Sequence, residues 1–219
     1  LRDTDHHWEY VDEQISLANI NPDTEVISVF VTSTVTAEII AALPKLQLIA
    51  CRSTGFNNID LAAAAERGIA VVNVPTYGEQ TVAEYAFTLL LALSRKLPQA
   101  LRSFDDDTPV AEMRGWDLQG KTLGVIGTGH IGQCAIKIAN GFGMRVVGYD
   151  PYPNESAAKE LGYSYASLED VLAQSDAVTI HAPYFASNHH IINTERLAMM
   201  KPAAALINTA RGELVDTHA

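Results

Sequence analysis

The chain has 219 residues with a formal net charge of −11, and 47% of its residues are apolar. This composition is typical of a globular protein that buries a sizeable core. The excess of acidic residues argues against nucleic acid as a main partner, because phosphate contacts require clustered Lys and Arg. No apolar run approaches the roughly 20 residues of a membrane span, so we expect no membrane-embedded part.

The cysteines and histidines do not form the patterns of a disulfide framework or a metal site. Cys51 ends an apolar strand and Cys134 lies inside a predicted helix, which indicates buried free thiols in a reducing compartment. The polar, acidic start of the chain lacks the features of a signal peptide, so we expect a cytoplasmic protein. The adjacent pairs His6–His7 and His189–His190 lack zinc-site spacing, so we predict no metal and a solvated surface for most histidines.

Apolar runs and short helical segments alternate over the first third of the chain. The pattern predicts strands at residues 26–31, 46–51 and 69–74, and helices at residues 37–43 and 60–67. Asp60 is the expected N-cap of the second helix. Strands that are apolar at nearly every position suit a parallel sheet buried on both faces. Strand–helix–strand repetition then implies right-handed crossovers and a doubly wound α/β sheet.

A long helical stretch is predicted for residues 81–104. Thr81 and Glu84 fit a capping box at its start. More apolar surface is present than one face needs, and it comes from Leu89, Leu90, Leu91, Leu93 and Leu97. Two interpretations stay open, a core helix between two layers and a helix that also makes a subunit contact. A polar loop is predicted at residues 105–109.

A second strand–helix alternation begins at Lys121. The predicted strands are residues 122–126, 145–149, 177–181 and 204–208, and the predicted helices are residues 131–142, 155–161, 168–174 and 194–200. The two alternations predict two α/β domains, residues 1–76 and 77–219. We place the boundary near residues 75–80, with the long helix packed on the second domain.

A glycine-rich turn, Gly127-Thr-Gly129-His-Ile-Gly132, follows the first strand of the second domain and opens a helix. The pattern alone is weak evidence, but the flanking segments are a buried strand and an amphipathic helix. Asp150 ends the next strand, near the expected spacing of about 20 residues. These features together predict a dinucleotide-binding site. A glycine turn without a ligand, or one for another nucleotide, is the alternative.

Each residue of the turn has an expected role. Gly127 permits the tight turn, Gly129 lets the backbone approach a pyrophosphate, and Gly132 lets the helix pack close to the strand. We expect His130 and Ile131 to supply amides at the helix N-terminus, where the dipole favours negative charge. Asp150 would accept hydrogen bonds from the adenosine ribose and repel a 2′-phosphate. No Arg follows it directly, so we predict NAD rather than NADP.

Further segments carry a resemblance to a known family. They are residues 52–60 (RSTGFNNID), 74–77 (VPTY), 82–86 (VAEYA), 127–132 (GTGHIG), 149–152 (YDPY), 181–183 (HAP), 200–202 (MKP) and 207–216 (INTARGELVD). In this order they resemble the NAD-dependent D-2-hydroxyacid dehydrogenase family, most of all its D-lactate dehydrogenase branch. The resemblance covers almost the whole chain. It implies a flavodoxin-like substrate domain and an NAD(P)-binding Rossmann domain, both incomplete, and a homodimer.

The resemblance assigns roles to individual residues. Arg211 matches the arginine that binds the substrate carboxylate, polarises its carbonyl and borders the cofactor. Thr54 and Gly55 match the loop whose amides hold that carboxylate, and Tyr77 matches a substrate-contacting tyrosine. Further positions that line the cofactor are matched by His181, Ala182, Pro183, Asn188, Thr209 and Ala210.

His181 is not expected to be the catalytic acid–base. In the family that role belongs to a different histidine, paired with a glutamate, and we expect both to lie beyond Ala219. The resemblance thus implies an internal stretch of a longer enzyme, without a short N-terminal strand and a C-terminal third. The expected reaction is the NADH-dependent reduction of a small 2-keto acid, such as pyruvate, to the D-2-hydroxy acid. The alternative is an NAD-sensing, corepressor-like regulator on the same fold.

Overall fold

Parallel strands with helical crossovers make up both parts of the chain. The computed structural model describes residues 5–102 and 114–219. Contacts divide the chain into two units, Leu1–Tyr77 and Gly78–Ala219. The α/β class expected from the sequence is therefore confirmed.

The first unit contains a three-stranded parallel sheet in the order β1-β2-β3. Its elements are β1 (Val26–Val29), α1 (Ala37–Ala42), β2 (Leu48–Cys51), α2 (Leu61–Glu66) and β3 (Ala70–Val72). Thr36 caps α1 and Asp60 caps α2, each by accepting a bond from an amide of the first turn. The Asp60 cap confirms the sequence prediction. All three strands are shorter than predicted, because pairing covers only part of each apolar run. It ends early in β1, begins late in β2 and does both in β3.

The second unit contains a five-stranded parallel sheet in the order β6-β5-β4-β7-β8. Its strands are β4 (Thr122–Ile126), β5 (Arg145–Tyr149), β6 (Ser164–Tyr165), β7 (Ala177–Ile180) and β8 (Ala205–Asn208). Its helices are α3 (Glu79–Ser94), α4 (Leu97–Arg102), α5 (His130–Gly141), α6 (Glu155–Leu161), α7 (Leu168–Gln174) and α8 (Thr194–Met199). This is the strand order of a Rossmann domain. The short strand β6 was not predicted.

The predicted helix at residues 81–104 is wrong in its start and its continuity. α3 begins at Glu79 with Gly78 as a cap that makes no side-chain bond, so the Thr81–Glu84 capping box does not form. The helix ends at Ser94, because Pro98 has no N–H to donate to the carbonyl of Ser94. That carbonyl accepts from Trp116 N at 2.9 Å instead. The last two residues of the predicted helix and the predicted loop at residues 105–109 lie outside the described residues.

Strand β4 lies at the centre of the second unit and is buried along its whole length. Leu123 and Val125 belong to the cluster that contains Phe87 of α3, whereas Ile126 belongs to the cluster that contains Leu172 of α7. Alternation along β4 therefore places a helical layer on each face of the sheet. α3 is thus a core helix through Ala83, Ala86, Phe87 and Leu90, although Leu93 remains half exposed.

The structure also bears on the predictions about the cysteines and about membrane spans. Both cysteines are free, but only Cys51 is fully buried, while Cys134 is partly exposed. None of the helices within residues 5–102 and 114–219 combines the length and apolar character needed to cross a membrane.

Candidate cofactor-binding site

The carboxyl ends of the strands in the second unit meet at one edge of the sheet, because all five strands are parallel. Gly127 follows β4, Asp150 follows β5 and His181 follows β7. The strand order reverses between β4 and β7, because β5 and β6 lie on one side of β4 and β7 and β8 lie on the other. Open α/β sheets bind their ligands at such a point. The predicted cofactor residues are therefore gathered at the topological switch point.

Gly127 is required by the backbone and by its neighbours. Its φ is +88°, in the left-handed region that favours glycine. A Cβ at this position would lie 2.6 Å from Ala182 N and 2.7 Å from the carbonyl carbon of His181. The glycine therefore lets the turn after β4 lie directly against the segment after β7.

The other two glycines of the turn differ in their surroundings. A Cβ on Gly132 would clash with the carbonyl oxygen of Gly127, so this glycine lets α5 pack onto the turn. A Cβ on Gly129 would meet nothing within 4 Å. Gly129 is the N-cap of α5 and is followed by His130 and Ile131, whose first-turn amides have no intrahelical acceptor. The space above Gly129 and these amides suits a pyrophosphate.

Three hydrogen bonds hold the Asp150 carboxylate at the end of β5. Oδ2 accepts from Thr128 N at 2.8 Å and from Thr128 Oγ1 at 3.2 Å, and Oδ1 accepts from Tyr152 N at 2.9 Å. A carboxylate offers about four acceptor sites, so one remains on Oδ1 for a ribose hydroxyl. The carboxylate is thus fixed in place before any ligand binds.

Two buried polar atoms at this edge have no hydrogen-bond partner among the described residues. They are Nδ1 of His181 and Oγ1 of Thr209. Unpartnered buried polar atoms are rare in folded proteins and indicate a missing ligand or water. His181 follows β7 and Thr209 follows the neighbouring strand β8. A polar group bound at this edge would satisfy both atoms.

Burial lowers the pKa of His181 to about 4. Its Nε2 lies 3.1 Å from Thr179 Oγ1, and its backbone amide donates to Ile126 O at 2.7 Å. The imidazole is therefore neutral at physiological pH, which agrees with the expectation that another group is the acid–base.

The loop after β7 is held together by Asn188. Its Oδ1 accepts from Phe185 N at 2.7 Å, and its Nδ2 donates to Pro183 O at 2.8 Å. Asn188 therefore shapes the segment that contains Pro183 and follows Ala182, the residue that lies beside Gly127.

Arg211 is exposed in the segment that follows β8. Its Nη1 donates to Ala210 O at 2.8 Å, and none of the ion pairs among the described residues involves its guanidinium. Asn208 shapes this turn by accepting from Ala210 N and donating to Arg211 O. The arginine therefore remains available to an anionic ligand.

The predicted substrate residues lie in the first unit. Thr54 Oγ1 donates to Val74 O at 2.9 Å, and Asn73 Nδ2 donates to Thr54 O at 2.8 Å. Gly55 O accepts from Ser53 Oγ at 2.8 Å. These bonds fix the loop after β2, while the Tyr77 ring is 58% exposed.

Sequence reasoning missed two features of the second unit. The hydroxyl of Tyr165 lies 2.7 Å from Thr128 Oγ1, beside the candidate site. The alternation Tyr-Ser-Tyr at residues 163–165 was the available signal, because a period of two places both rings on one face of a strand. The lysine of the MKP segment is structural, since Lys201 Nζ donates to Asp176 Oδ1 at 2.9 Å.

The fold and site together define a Rossmann-type dinucleotide-binding unit. The open space at Gly129, the fixed Asp150 carboxylate and the unpartnered atoms of His181 and Thr209 fit a polar dinucleotide at this edge. Residues 87–219 match the family described as D-isomer specific 2-hydroxyacid dehydrogenase, NAD binding domain. The chain belongs to this family, which confirms the resemblance and the expectation of NAD as cofactor.

Known relatives agree with the family match. A 2-hydroxyacid dehydrogenase homolog of Zymomonas mobilis is 39% identical over 98% of this chain and 66% of its own length. A glyoxylate reductase of Korarchaeum cryptofilum is 39% identical over 90% of this chain and 61% of its own length. The solved D-lactate dehydrogenase of Aquifex aeolicus, complexed with NAD and lactic acid, is 38% identical with a TM-score of 0.86, covering 92% and 62%. The chain thus spans about three fifths to two thirds of these relatives.

Proposed function

We propose that this protein is an NAD-dependent oxidoreductase that reduces a small 2-keto acid, pyruvate foremost, to the D-2-hydroxy acid. The observation that carries the proposal is the exposed guanidinium of Arg211, which takes part in none of the ion pairs among the described residues. Arg211 follows β8 at the same sheet edge as the glycine turn. A cation without an ion-pair partner beside a dinucleotide site suits a carboxylate substrate. The family match supports the same reaction class.

Arg211 has two tasks in this reaction. When bound, NADH supplies the hydride that the substrate carbonyl carbon receives. The guanidinium makes paired, charge-assisted bonds to the substrate carboxylate. It also stabilises the negative charge that develops on the keto oxygen. Both tasks need an arginine that is not neutralised by a neighbouring carboxylate.

A proton must reach the keto oxygen to complete the hydroxyl group. With a pKa of about 4, His181 is deprotonated near neutral pH and is a poor proton donor there. Its buried Nδ1 instead suits a hydrogen bond with the cofactor. We therefore assign His181 to cofactor binding, together with Ala182, Pro183, Asn188, Thr209 and Ala210.

Asp150 favours NAD over NADP in this proposal. A carboxylate at this position accepts a bond from a ribose hydroxyl and repels a 2′-phosphate. The residues that follow are Pro151 and Tyr152, so the cation that often accommodates a 2′-phosphate does not directly follow Asp150 in the sequence.

The loop after β2 is the proposed substrate-holding segment of the first unit. Thr54 and Gly55 would offer backbone amides to the substrate carboxylate, and Tyr77 would contact its remaining atoms. Phe56 is 44% exposed on the same loop. An exposed aromatic ring suits the short apolar side chain of pyruvate or a similar keto acid.

We also propose a cytoplasmic homodimer. The half-exposed apolar side chains of Leu93, Leu97 and Leu101 on α3 and α4 are suited to a subunit contact. The free thiols Cys51 and Cys134 suit a reducing compartment. Light scattering of the purified full-length protein tests the dimer, and a monomer at micromolar concentration would contradict it.

A substrate panel tests the proposed reaction. The full-length protein is assayed for NADH oxidation with pyruvate, glyoxylate and hydroxypyruvate, beside an Arg211→Gln variant whose NADH affinity is measured separately. We expect turnover of at least one keto acid, with kcat/KM reduced at least about 100-fold by the variant. Saturable NADH binding without turnover of any keto acid would overturn the proposal and favour an NAD-sensing regulator.

A further inference from the structure

Three hydroxyl groups form a hydrogen-bonded chain that ends at the Asp150 carboxylate. The chain begins beside β6, the outermost strand of the five-stranded sheet. Tyr163 Oη lies 2.9 Å from Tyr165 Oη, which lies 2.7 Å from Thr128 Oγ1. Thr128 Oγ1 in turn lies 3.2 Å from Asp150 Oδ2. Thr128 stands between two glycines of the turn, so the chain connects the cofactor turn to β6.

The direction of each hydrogen bond follows from the donor count. A carboxylate only accepts, so Thr128 must give its single hydroxyl proton to Asp150. Tyr165 must then donate to Thr128, and Tyr163 must donate to Tyr165. Tyr165 Oη also accepts from Asn154 N at 2.9 Å. All protons therefore point toward Asp150, and the chain has one self-consistent arrangement.

The Tyr165 hydroxyl is hydrogen-bonded to both segments that donate to Asp150. One is the glycine turn, through Thr128. The other is the segment after β5, where Tyr152 N donates to Asp150 Oδ1 and Asn154 N donates to Tyr165. A single hydroxyl group thus links the two sources of hydrogen bonds to the carboxylate.

Packing keeps the hydroxyl chain rigid. The rings of Tyr163 and Tyr165 meet edge to face with centroids 5.2 Å apart. Gly148 of β5 pairs with Tyr165, and a Cβ there would lie 3.0 Å from Thr128 Cγ2 and 3.1 Å from Tyr163 Cε2. Burial raises the pKa of Tyr163 well above its ordinary value, so its hydroxyl stays protonated as a donor.

We propose that Tyr165 is a positioning residue for cofactor discrimination, which acts through Thr128 and Asn154 to hold the Asp150 carboxylate where a 2′-phosphate would lie. This inference rests on the proposed preference for NAD over NADP. A carboxylate held by preorganised donors cannot rotate away from the phosphate, so the repulsion is kept. A carboxylate freed to rotate would discriminate less.

Dissociation constants of NADH and NADPH for the full-length protein test the proposal. Tyr165→Phe removes the central hydroxyl, and Thr128→Val removes the link to Asp150 with little change of shape. Each variant should reduce the preference for NADH over NADPH about fivefold, the effect of one lost hydrogen bond. Because both substitutions act through the same hydrogen-bonded chain, the double variant should lose little more of the NADH preference than either single variant.

Tyr85→Phe is the matched control, since Tyr85 is 58% exposed on α3 and outside the hydroxyl chain. It should leave the cofactor preference unchanged. If Tyr165→Phe does not fold, Thr128→Val carries the test alone, because Val fills the buried Thr128 position.

The outcomes separate this inference from the proposed function. The positioning role alone would be overturned if the wild-type protein prefers NADH and both variants, Tyr165→Phe and Thr128→Val, keep that preference to within twofold. A wild-type protein that binds both cofactors equally would overturn the NAD preference and the positioning role together.

Discussion

Gly132 lies against the carbonyl oxygen of Gly127, so that a Cβ on Gly132 would clash with this oxygen. Gly129, between them in the same turn, has open space where a Cβ would lie. The three glycines therefore serve different purposes. Two of them let the protein pack on itself, and the third leaves room for a ligand.

Alanine at these positions should separate folding from binding. Gly132→Ala should lower Tm by roughly 5 °C, because overpacking costs about 1–3 kcal/mol. Gly129→Ala should change Tm by less than about 2 °C but weaken NADH binding about tenfold, because the methyl group occupies the ligand space. Thermal melts and NADH titrations of both variants check this, and a normal NADH affinity in Gly129→Ala would argue against the proposed pyrophosphate position.

Removing the charge of Asp150 should shift cofactor preference. In Asp150→Asn, NADPH should bind about tenfold more tightly relative to NADH, because the repulsion of the 2′-phosphate is lost. Asp117→Asn is a matched control, since Asp117 is an exposed carboxylate paired with Arg95. Equal cofactor ratios in wild type and Asp150→Asn would show that another residue determines the preference.

His181 should make stability fall in mildly acidic solution. Its folded-state pKa of about 4 lies below the ordinary value of 6.5, so the unfolded chain binds its proton first as pH falls. The free energy of unfolding is therefore highest, as far as this histidine is concerned, above about pH 6.5. It falls as the pH decreases toward 4, by about 3 kcal/mol in all. Denaturant melts at pH 7 and pH 5 should show a weaker pH dependence for His181→Gln than for wild type. The exposed His218→Gln should behave like wild type.

The Asp176–Lys201 pair should contribute to stability above the acidic range. Burial opposes ionisation of Asp176, but bonds from Thr122 N and Lys201 Nζ outweigh it and lower the pKa of this carboxyl. Its contribution is therefore present above the ordinary pKa of 3.8 and is lost as pH falls below it. Asp176→Asn should cost about 1 kcal/mol at pH 7.

Asp23→Asn provides the contrast for Asp176. Asp23 pairs with Lys45 at 2.8 Å, but its side chain is 76% exposed. Exposed ion pairs contribute little, so this variant should melt like wild type. Equal losses in the two variants would contradict the structural role assigned to Asp176.

The sequence predicted the bounds of two strands in the second unit. β4 is buried at every position and β5 at its three central positions, and buried apolar runs of this kind are typical of parallel strands covered on both faces. α6 and α7 also have their predicted bounds, since Asn154 and Ser167 cap their first turns. Local chemistry and burial agree at these elements.

The predicted start of α3 was wrong because the helix continues to Gly78, which makes no side-chain cap bond. A cap contributes only about 1 kcal/mol, so a capping motif alone does not determine where a helix begins. The hydroxyl chain to Asp150 was missed for a different reason. Tyr165 and Thr128 are 37 residues apart in sequence, and only the pairing of the two-residue strand β6 with β5 brings them together.

Chiral analysis of the product tests the central claim most directly. The full-length protein is supplied with pyruvate and excess NADH, and the lactate formed is resolved into its enantiomers while NADH loss is followed by absorbance. We predict one D-lactate for each NADH consumed, with NADPH oxidised far more slowly. Formation of L-lactate, or no lactate from an enzyme shown to bind NADH and pyruvate, would contradict the assignment.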